Sequence, residues 1–176
     1  MRPAVTLVLG GARSGKSRFA ESLAPAGEMG RVYVATAEPV DDEMADRIAI
    51  HRSRRGSAWR TVEAPIALAQ TIKRESTPRT WLLVDCLSVW LGNLMHHDLD
   101  VGAACEALLE ALAAAPGPVV LVASEVGLGI VPDNAMARAF RDHAGRLNQA
   151  VAEVAGTVFF VAAGLPVTLK GAPSPD

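Results

Sequence analysis

Residues 10–17 constrain the fold of this chain more than any other part of its sequence. They read Gly-Gly-Ala-Arg-Ser-Gly-Lys-Ser and match the pattern G-x-x-x-x-G-K-[ST]. In that pattern, a glycine-rich turn between a strand and a helix surrounds phosphate oxygens with backbone amides. An apolar run precedes the segment at residues 5–9, and a stretch of helical period follows it. The sequence therefore predicts a strand, a phosphate-binding loop and a helix, in that order.

Each position of this loop has an expected part in holding a nucleoside triphosphate. The glycines at 10 and 15 can take backbone angles closed to other residues and let the main chain approach phosphate oxygens closely. Lys16 can reach the β- and γ-phosphates, and the Ser17 hydroxyl can ligate Mg²⁺. The predicted nucleotide contacts in the loop are Gly10, Gly11, Ala12, Arg13, Ser14, Gly15, Lys16 and Ser17.

A second predicted metal ligand closes the apolar run at residues 81–85. Asp85 follows four apolar residues, and a carboxylate at the end of a buried strand is the usual partner of the loop serine in holding Mg²⁺. The sequence thus predicts Mg²⁺ between Ser17 and Asp85.

The rest of the chain alternates short branched apolar runs with longer stretches of helical period, which is typical of βαβ units and a mostly parallel sheet. We predict strands at 5–9, 31–35, 81–85, 119–124 and 157–162, with a weaker one at 167–170. Predicted helices cover 16–24, 41–54, 65–74, 87–95, 101–115 and 134–155. Together these elements predict a single α/β P-loop domain of the RecA-like type over residues 1–176, with helices flanking the sheet and a mobile tail at 171–176.

The amino-acid composition restricts the classes of ligand that this protein is expected to bind. Half of the residues are apolar and the formal net charge is -2, so a large core is available and no basic field attracts nucleic acid. The two cysteines, Cys86 and Cys105, show no disulfide or metal-site spacing and are expected to be buried thiols in a reducing compartment. Without a signal sequence or an apolar run of membrane-spanning length, we expect a cytoplasmic protein that binds small molecules.

The predicted helix 41–54 carries acids in its first turn and arginines in its last, as the helix dipole favours. Met44, Ile48 and His51 fall at helical spacing, so the imidazole shares an apolar stripe. Arginines at 52, 54 and 55 follow it. Two interpretations are open on chemistry alone: a histidine nucleophile toward phosphorus, supported by guanidinium groups, or an interfacial histidine beside a solvated charge run.

The last predicted helix, 134–155, has an apolar stripe that is expected to face the core. Its members are Met136, Phe140, Ala144, Leu147, Val151 and Val154. Ahead of it, residues 125–132 follow a strand, where open α/β sheets bind ligands. These residues are predicted to line a ligand-binding site, or else to form a structural glycine loop.

Several short motifs occur in one order along the chain: Gly10 to Arg18, Ala35-Thr36-Ala37, Asp42-Glu43-Met44, Arg47-Ile48 with His51, Trp59-Arg60-Thr61, Glu125 to Pro132, Phe140-Arg141-Asp142, Ala144-Gly145-Arg146 and Asn148-Gln149. With them the chain closely resembles, from residue 7 to about residue 170, the family of bifunctional adenosylcobinamide kinases and adenosylcobinamide-phosphate guanylyltransferases of cobalamin synthesis.

The resemblance implies two reactions on one corrinoid. The first is phosphorylation of adenosylcobinamide by ATP or GTP, and the second is transfer of GMP from GTP to that phosphate through a guanylylated histidine. His51 occupies the position of that histidine, with Lys16 as a second catalytic residue. The resemblance also implies a homotrimer with sites between subunits, and further nucleotide contacts at Ala35, Thr36, Ala37, Arg52, Ser53, Arg54, Arg55, Glu63 and Asp85.

Two other functions remain open from the residues themselves. An ordinary small-molecule kinase would use the P-loop for all of its chemistry and keep His51 as a structural residue. A nucleotide-switched binding module would hydrolyse slowly and bind a partner protein. Formation of an enzyme-bound GMP separates the proposed family from both.

Overall fold

The computed structural model describes residues 5–27, 29–38 and 58–171. A seven-stranded sheet of order β3-β2-β4-β5-β1-β6-β7 organises them. Its strands are β1 (Val5–Gly10), β2 (Gly30–Ala35), β3 (Arg60–Glu63), β4 (Thr80–Asp85), β5 (Val119–Ser124), β6 (Thr157–Ala162) and β7 (Leu165–Lys170). Neighbouring strands run parallel except β7, which is antiparallel to β6. The mostly parallel α/β sheet predicted from the sequence is confirmed.

Helices cover both faces of the sheet. In the described residues they are α1 (Lys16–Ser22), α2 (Leu68–Glu75), α3 (Leu87–His96), α4 (Val101–Ala114) and α5 (Ala135–Val154). Successive strand residues point to opposite faces, so Leu7 of β1 packs in the cluster with α2 to α5, while Val8 packs in the cluster with α1. Burial of both faces explains why the central strands are continuous apolar runs.

Most element predictions are confirmed, with differences at the edges. The strand β3 was not predicted, because its four residues Arg-Thr-Val-Glu form no apolar run; pairing with β2 determines it. The strand β7 begins at Leu165 rather than at residue 167, and α2 begins at Leu68 rather than at residue 65. The predicted helix 41–54 and the predicted tail after residue 171 lie outside the described residues.

One prediction about α5 is wrong at its first turn. Ala144, Leu147 and Val151 are buried as the apolar stripe requires, but the Met136 side chain is 72% exposed. This turn extends past the sheet core, and Met136 lines an apolar pocket of about 440 Å³ together with Met95 and Phe140. Each helix in the described part of the chain is too short or too polar to span a membrane.

Candidate nucleotide-binding site

Strand pairing brings several predicted site residues to one edge of the sheet. Gly10, the last residue of β1, pairs with Ser124 at the end of β5. Ala35, at the end of β2, lies between Glu63 of β3 and Asp85 of β4. Because ligands of open α/β sheets bind at the carboxyl ends of the strands, this edge is the candidate site.

The glycines of the loop serve two different geometric needs. Gly15 has φ 93°, in the left-handed region that glycine occupies without strain. Gly10 lies outside that region. Its lack of a side chain is needed for another reason: a Cβ there would lie 2.4 Å from Ser14 Oγ and 2.6 Å from the Val161 carbonyl oxygen. A Cβ on Gly11 would meet nothing within 4 Å.

The turn between β6 and β7, which is not part of the P-loop motif, stabilises the P-loop by a hydrogen bond. The Gly164 amide donates a 2.7 Å hydrogen bond to the Ser14 carbonyl. Ala163 and Gly164 have φ 51° and 80°, as in a two-residue hairpin turn of type I′. This turn explains why β7 begins at Leu165, directly after Gly164.

Two polar side chains of the loop differ in their hydrogen bonding. Lys16 Nζ donates a 3.1 Å hydrogen bond to the Gly11 carbonyl, so the ammonium group folds back over the loop. Ser14 Oγ is buried and makes no hydrogen bond with the described residues. Ala12 and Arg13 are exposed at the tip, and Arg13 has φ 54°. Since a buried hydroxyl without a partner is costly, Ser14 is a candidate for an added polar contact.

Asp85 and Lys16 both lie close enough to the Cys86 thiol to affect its pKa. Tyr33 donates a 3.0 Å hydrogen bond from its hydroxyl to Asp85 Oδ2. Burial, together with the Asp85 carboxylate, raises the pKa of the Cys86 thiol to about 11, while the charge of Lys16 acts on that thiol in the opposite direction. The P-loop cation and the strand-end carboxylate thus act on the same thiol, which is partly buried rather than buried as the sequence predicted.

The oxygen donors at this edge fit Mg²⁺, which prefers carboxylate and hydroxyl oxygens and keeps several ligands from water or substrate phosphate. Ser17, in the first turn of α1, and Asp85 are the two predicted ligands. Among the residues that the structure describes, no three acidic, thiol or imidazole side chains form a metal site by themselves.

The segment after β2 is held by hydrogen bonds that the sequence did not reveal. Thr36 is fully buried, and its hydroxyl donates to the Cys86 carbonyl at 2.9 Å and accepts from the Cys86 amide at 2.8 Å. Asn93 Nδ2 donates to the carbonyls of Thr36 at 2.7 Å and Pro65 at 3.0 Å. The Thr36 side chain is therefore engaged within the fold, and Asn93 joins the segments that follow β2 and β3.

The P-loop, the segment 35–37, Glu63 and Asp85 lie along the same carboxyl edge of the sheet, and their nucleotide contacts stay predictions. His51, Arg52, Ser53, Arg54 and Arg55 lie outside the described residues. Tyr33, Asn93 and Ser88, whose hydroxyl accepts a 2.7 Å hydrogen bond from the Ser124 amide, were missed. No local motif marks these three, because each acts on a segment distant in sequence.

Comparison with known families gives a match over nearly the whole chain. Residues 6–169 match the family model described as cobinamide kinase / cobinamide phosphate guanyltransferase. The bifunctional adenosylcobalamin biosynthesis protein CobP of Pseudomonas aeruginosa is 50% identical, and the alignment covers 95% of this chain and 98% of that protein. The CobU proteins of Escherichia coli and Salmonella typhimurium, which carry the same description, are 42% and 41% identical, each over 93% of this chain and 98% of theirs.

Solved structures share the fold at much lower identity. A protein of Pyrococcus horikoshii aligns with a TM-score of 0.54 and 7% identity over 98% of this chain and 89% of its own. A prototypical ATPase from a bacterial type III secretion system aligns with a TM-score of 0.52 and 11% identity over 94% of this chain and 56% of its own. These similarities support the P-loop α/β architecture.

Proposed function

The chain belongs to the cobinamide kinase / cobinamide phosphate guanyltransferase family, and from that membership we propose that it phosphorylates adenosylcobinamide with ATP or GTP and then transfers GMP from GTP to the new phosphate. The product is adenosylcobinamide-GDP, an intermediate of cobalamin biosynthesis. The observation that carries the proposal is the family match over residues 6–169, which includes the whole P-loop.

In the first reaction, the loop at residues 10–17 binds the triphosphate of the donor. The substrate hydroxyl oxygen attacks the γ-phosphorus, the bond to the bridging oxygen breaks, and the nucleoside diphosphate leaves while the hydroxyl proton is released. The Lys16 ammonium compensates the negative charge that develops on the transferred group. Ser17 and Asp85 would hold Mg²⁺, which supplies further charge compensation when bound.

In the second reaction, a ring nitrogen of His51 attacks the α-phosphorus of GTP. The N–P bond forms as the bond to the β-phosphate oxygen breaks, and pyrophosphate leaves. An oxygen of the corrinoid phosphate then attacks the same phosphorus, and the electron pair of the N–P bond returns to the imidazole. Covalent catalysis of this kind divides one difficult displacement into two easier ones.

Further residues are proposed to bind the nucleotide. Ala35 to Ala37, Glu63 and Asp85 lie at the edge of the sheet where the P-loop begins, which supports their assignment. Thr36 would contribute through the position of its backbone, because its side chain bonds to Cys86. Arg52, Ser53, Arg54 and Arg55 are assigned from their place beside His51 in the sequence.

We also propose that the enzyme acts in the cytoplasm as a homotrimer with its sites between subunits. The edge strand β7 supports self-association, since Leu165, Val167 and Leu169 are 70%, 54% and 60% exposed. Light scattering on the purified protein should give three times the 18.4 kDa of one chain. The mass of one chain alone would contradict the assembly.

The function can be tested with GTP that is labelled either at the γ-phosphate or at the α-phosphate. With adenosylcobinamide and Mg²⁺, label from the γ-phosphate and label from the α-phosphate should both enter the corrinoid product. Transfer of the γ label alone would support a simple kinase with a structural His51. Transfer of neither label, together with nucleotide-dependent capture of a partner protein, would support a binding module.

A further inference from the structure

A polar pocket of about 330 Å³ opens on the solvent side of α5, away from the apolar stripe. Two segments form it, the loop after β5 and the polar face of α5. Neither has a role in the nucleotide-binding site described above. Six residues line it: Gly127, Arg141, Asp142, Gly145, Arg146 and Gln149.

Among the described residues, the charges of this pocket leave one cation without an ion-pair partner. Arg141 is 25% exposed and donates a 3.2 Å hydrogen bond to Asp142 Oδ1, so these two charges compensate each other. Arg146 makes no ion pair with any residue in the described ranges. A guanidinium that the described residues do not neutralise, beside a compensated pair, gives the pocket a net affinity for an anion.

Gly145 leaves open space where the helix would be more stable with a side chain. It lies within the long helix α5, where glycine is less favourable than alanine. Within the described part of the chain, a Cβ at this position would meet nothing within 4 Å, so none of the described contacts requires glycine there. The gap lies in the wall of the pocket and is free for a ligand.

Hydrogen bonds at the end of β5 connect the pocket to the nucleotide-binding site. The Glu125 amide donates a 3.0 Å hydrogen bond to the carbonyl of Gly10, the first residue of the P-loop. Asn148 Nδ2, on α5, donates a 3.4 Å hydrogen bond to the Ser124 carbonyl. The loop after β5 and helix α5, which form the two walls of the pocket, are therefore both hydrogen-bonded to the region where the P-loop begins.

We propose that this pocket binds the phosphate monoester of the corrinoid acceptor during guanylyl transfer, an inference that rests on the function proposed above. Arg146 pairs with the phosphate, and the Arg141–Asp142 pair offers further polar contacts. The adjoining loop exposes Leu128 by 83% and Ile130 by 97%, which suits an acceptor with a large macrocycle carrying apolar groups. The same phosphate chemistry could come from GTP, so the test separates the two sources.

The test measures binding of three ligands by calorimetry: adenosylcobinamide phosphate, adenosylcobinamide and GTP. Arg146→Gln should weaken binding of the phosphorylated corrinoid about tenfold or more, as expected for loss of one charge-assisted hydrogen bond, and should leave the other two unchanged. The matched control is Arg79→Gln, because Arg79 is exposed and precedes β4 at the opposite edge of the sheet.

A second variant tests the open space. Gly145→Leu should exclude the phosphorylated corrinoid while GTP still binds, and Gly145→Ala should melt at a higher temperature than the wild type. Weaker GTP binding in Arg146→Gln, or unchanged binding of all three ligands, would overturn the assignment of the pocket. If the wild type bound neither corrinoid and transferred no GMP, the proposed function itself would fail, whereas normal transfer by Arg146→Gln would remove only this site.

Discussion

The P-loop and the pocket on α5 are two candidate phosphate sites built from different parts of the chain. The P-loop is one continuous segment, in which Gly10 and Gly15 satisfy strict steric and backbone requirements. The pocket on α5 combines side chains of a helix with a separate loop, and its glycine at 145 has no steric reason within the fold. A site made by the backbone can be recognised from a local motif, whereas a site made by side chains requires the folded structure.

The largest effect should come from the P-loop cation. Lys16→Ala should lower kcat/KM for phosphorylation about 10²- to 10³-fold, because the variant loses a charge that stabilises the transferred phosphoryl group. Steady-state kinetics with ATP and GTP would measure it. Lys73→Ala is the matched control, since Lys73 is exposed on α2. A loss below threefold would indicate that another residue holds the triphosphate.

Alanine substitutions at the two neighbouring glycines of the P-loop should differ in their effect on protein stability. Gly10→Ala should lower the free energy of unfolding by about 1–3 kcal/mol, since the new methyl group would overlap Ser14 and the Val161 carbonyl. Gly11→Ala is the control, with open space at the same position of the side chain. Urea unfolding measures both variants. Equal stability of the two would contradict the packing described for Gly10.

Alanine substitution at Gly145, in the pocket on α5, should change the free energy of unfolding in the opposite direction. Gly145→Ala should raise the free energy of unfolding by up to about 1 kcal/mol, because alanine favours the helix and meets no atom of the fold. The same urea titration measures it. A destabilised Gly145→Ala protein would show that the space beside this residue is occupied by the fold itself.

An ion pair far from both sites should have the smallest effect. Hydrogen bonds from Arg60 and then Arg74 lower the pKa of Glu75 below its usual 4.5. Glu75 therefore contributes stability above pH 4.5, and the contribution is lost as the pH falls through the lower folded value. Glu75→Gln should cost less than about 1 kcal/mol at pH 7, because Arg60 is exposed, and the difference from wild type should shrink in acid. A difference that grows on acidification would contradict the pKa direction.

The sequence was sufficient for the central strands and the P-loop, because continuous apolar runs and a glycine motif are local signals. It was insufficient for β3, a short polar strand that forms by pairing with β2, and for the hydrogen bonds of Asn93 to Thr36 and Pro65. Contacts of that kind join segments far apart in the chain. The exposure of Met136 was missed for a related reason: periodicity gives the face of a helix but not where the core ends.

The central claim is that His51 carries GMP between GTP and the corrinoid. Intact-protein mass spectrometry after incubation with GTP and Mg²⁺, followed by peptide mapping, measures this directly. The wild type should gain one GMP on His51, and His51→Asn should gain none while still binding GTP. An adduct on another residue, or no adduct in a wild type that binds GTP, would contradict the account.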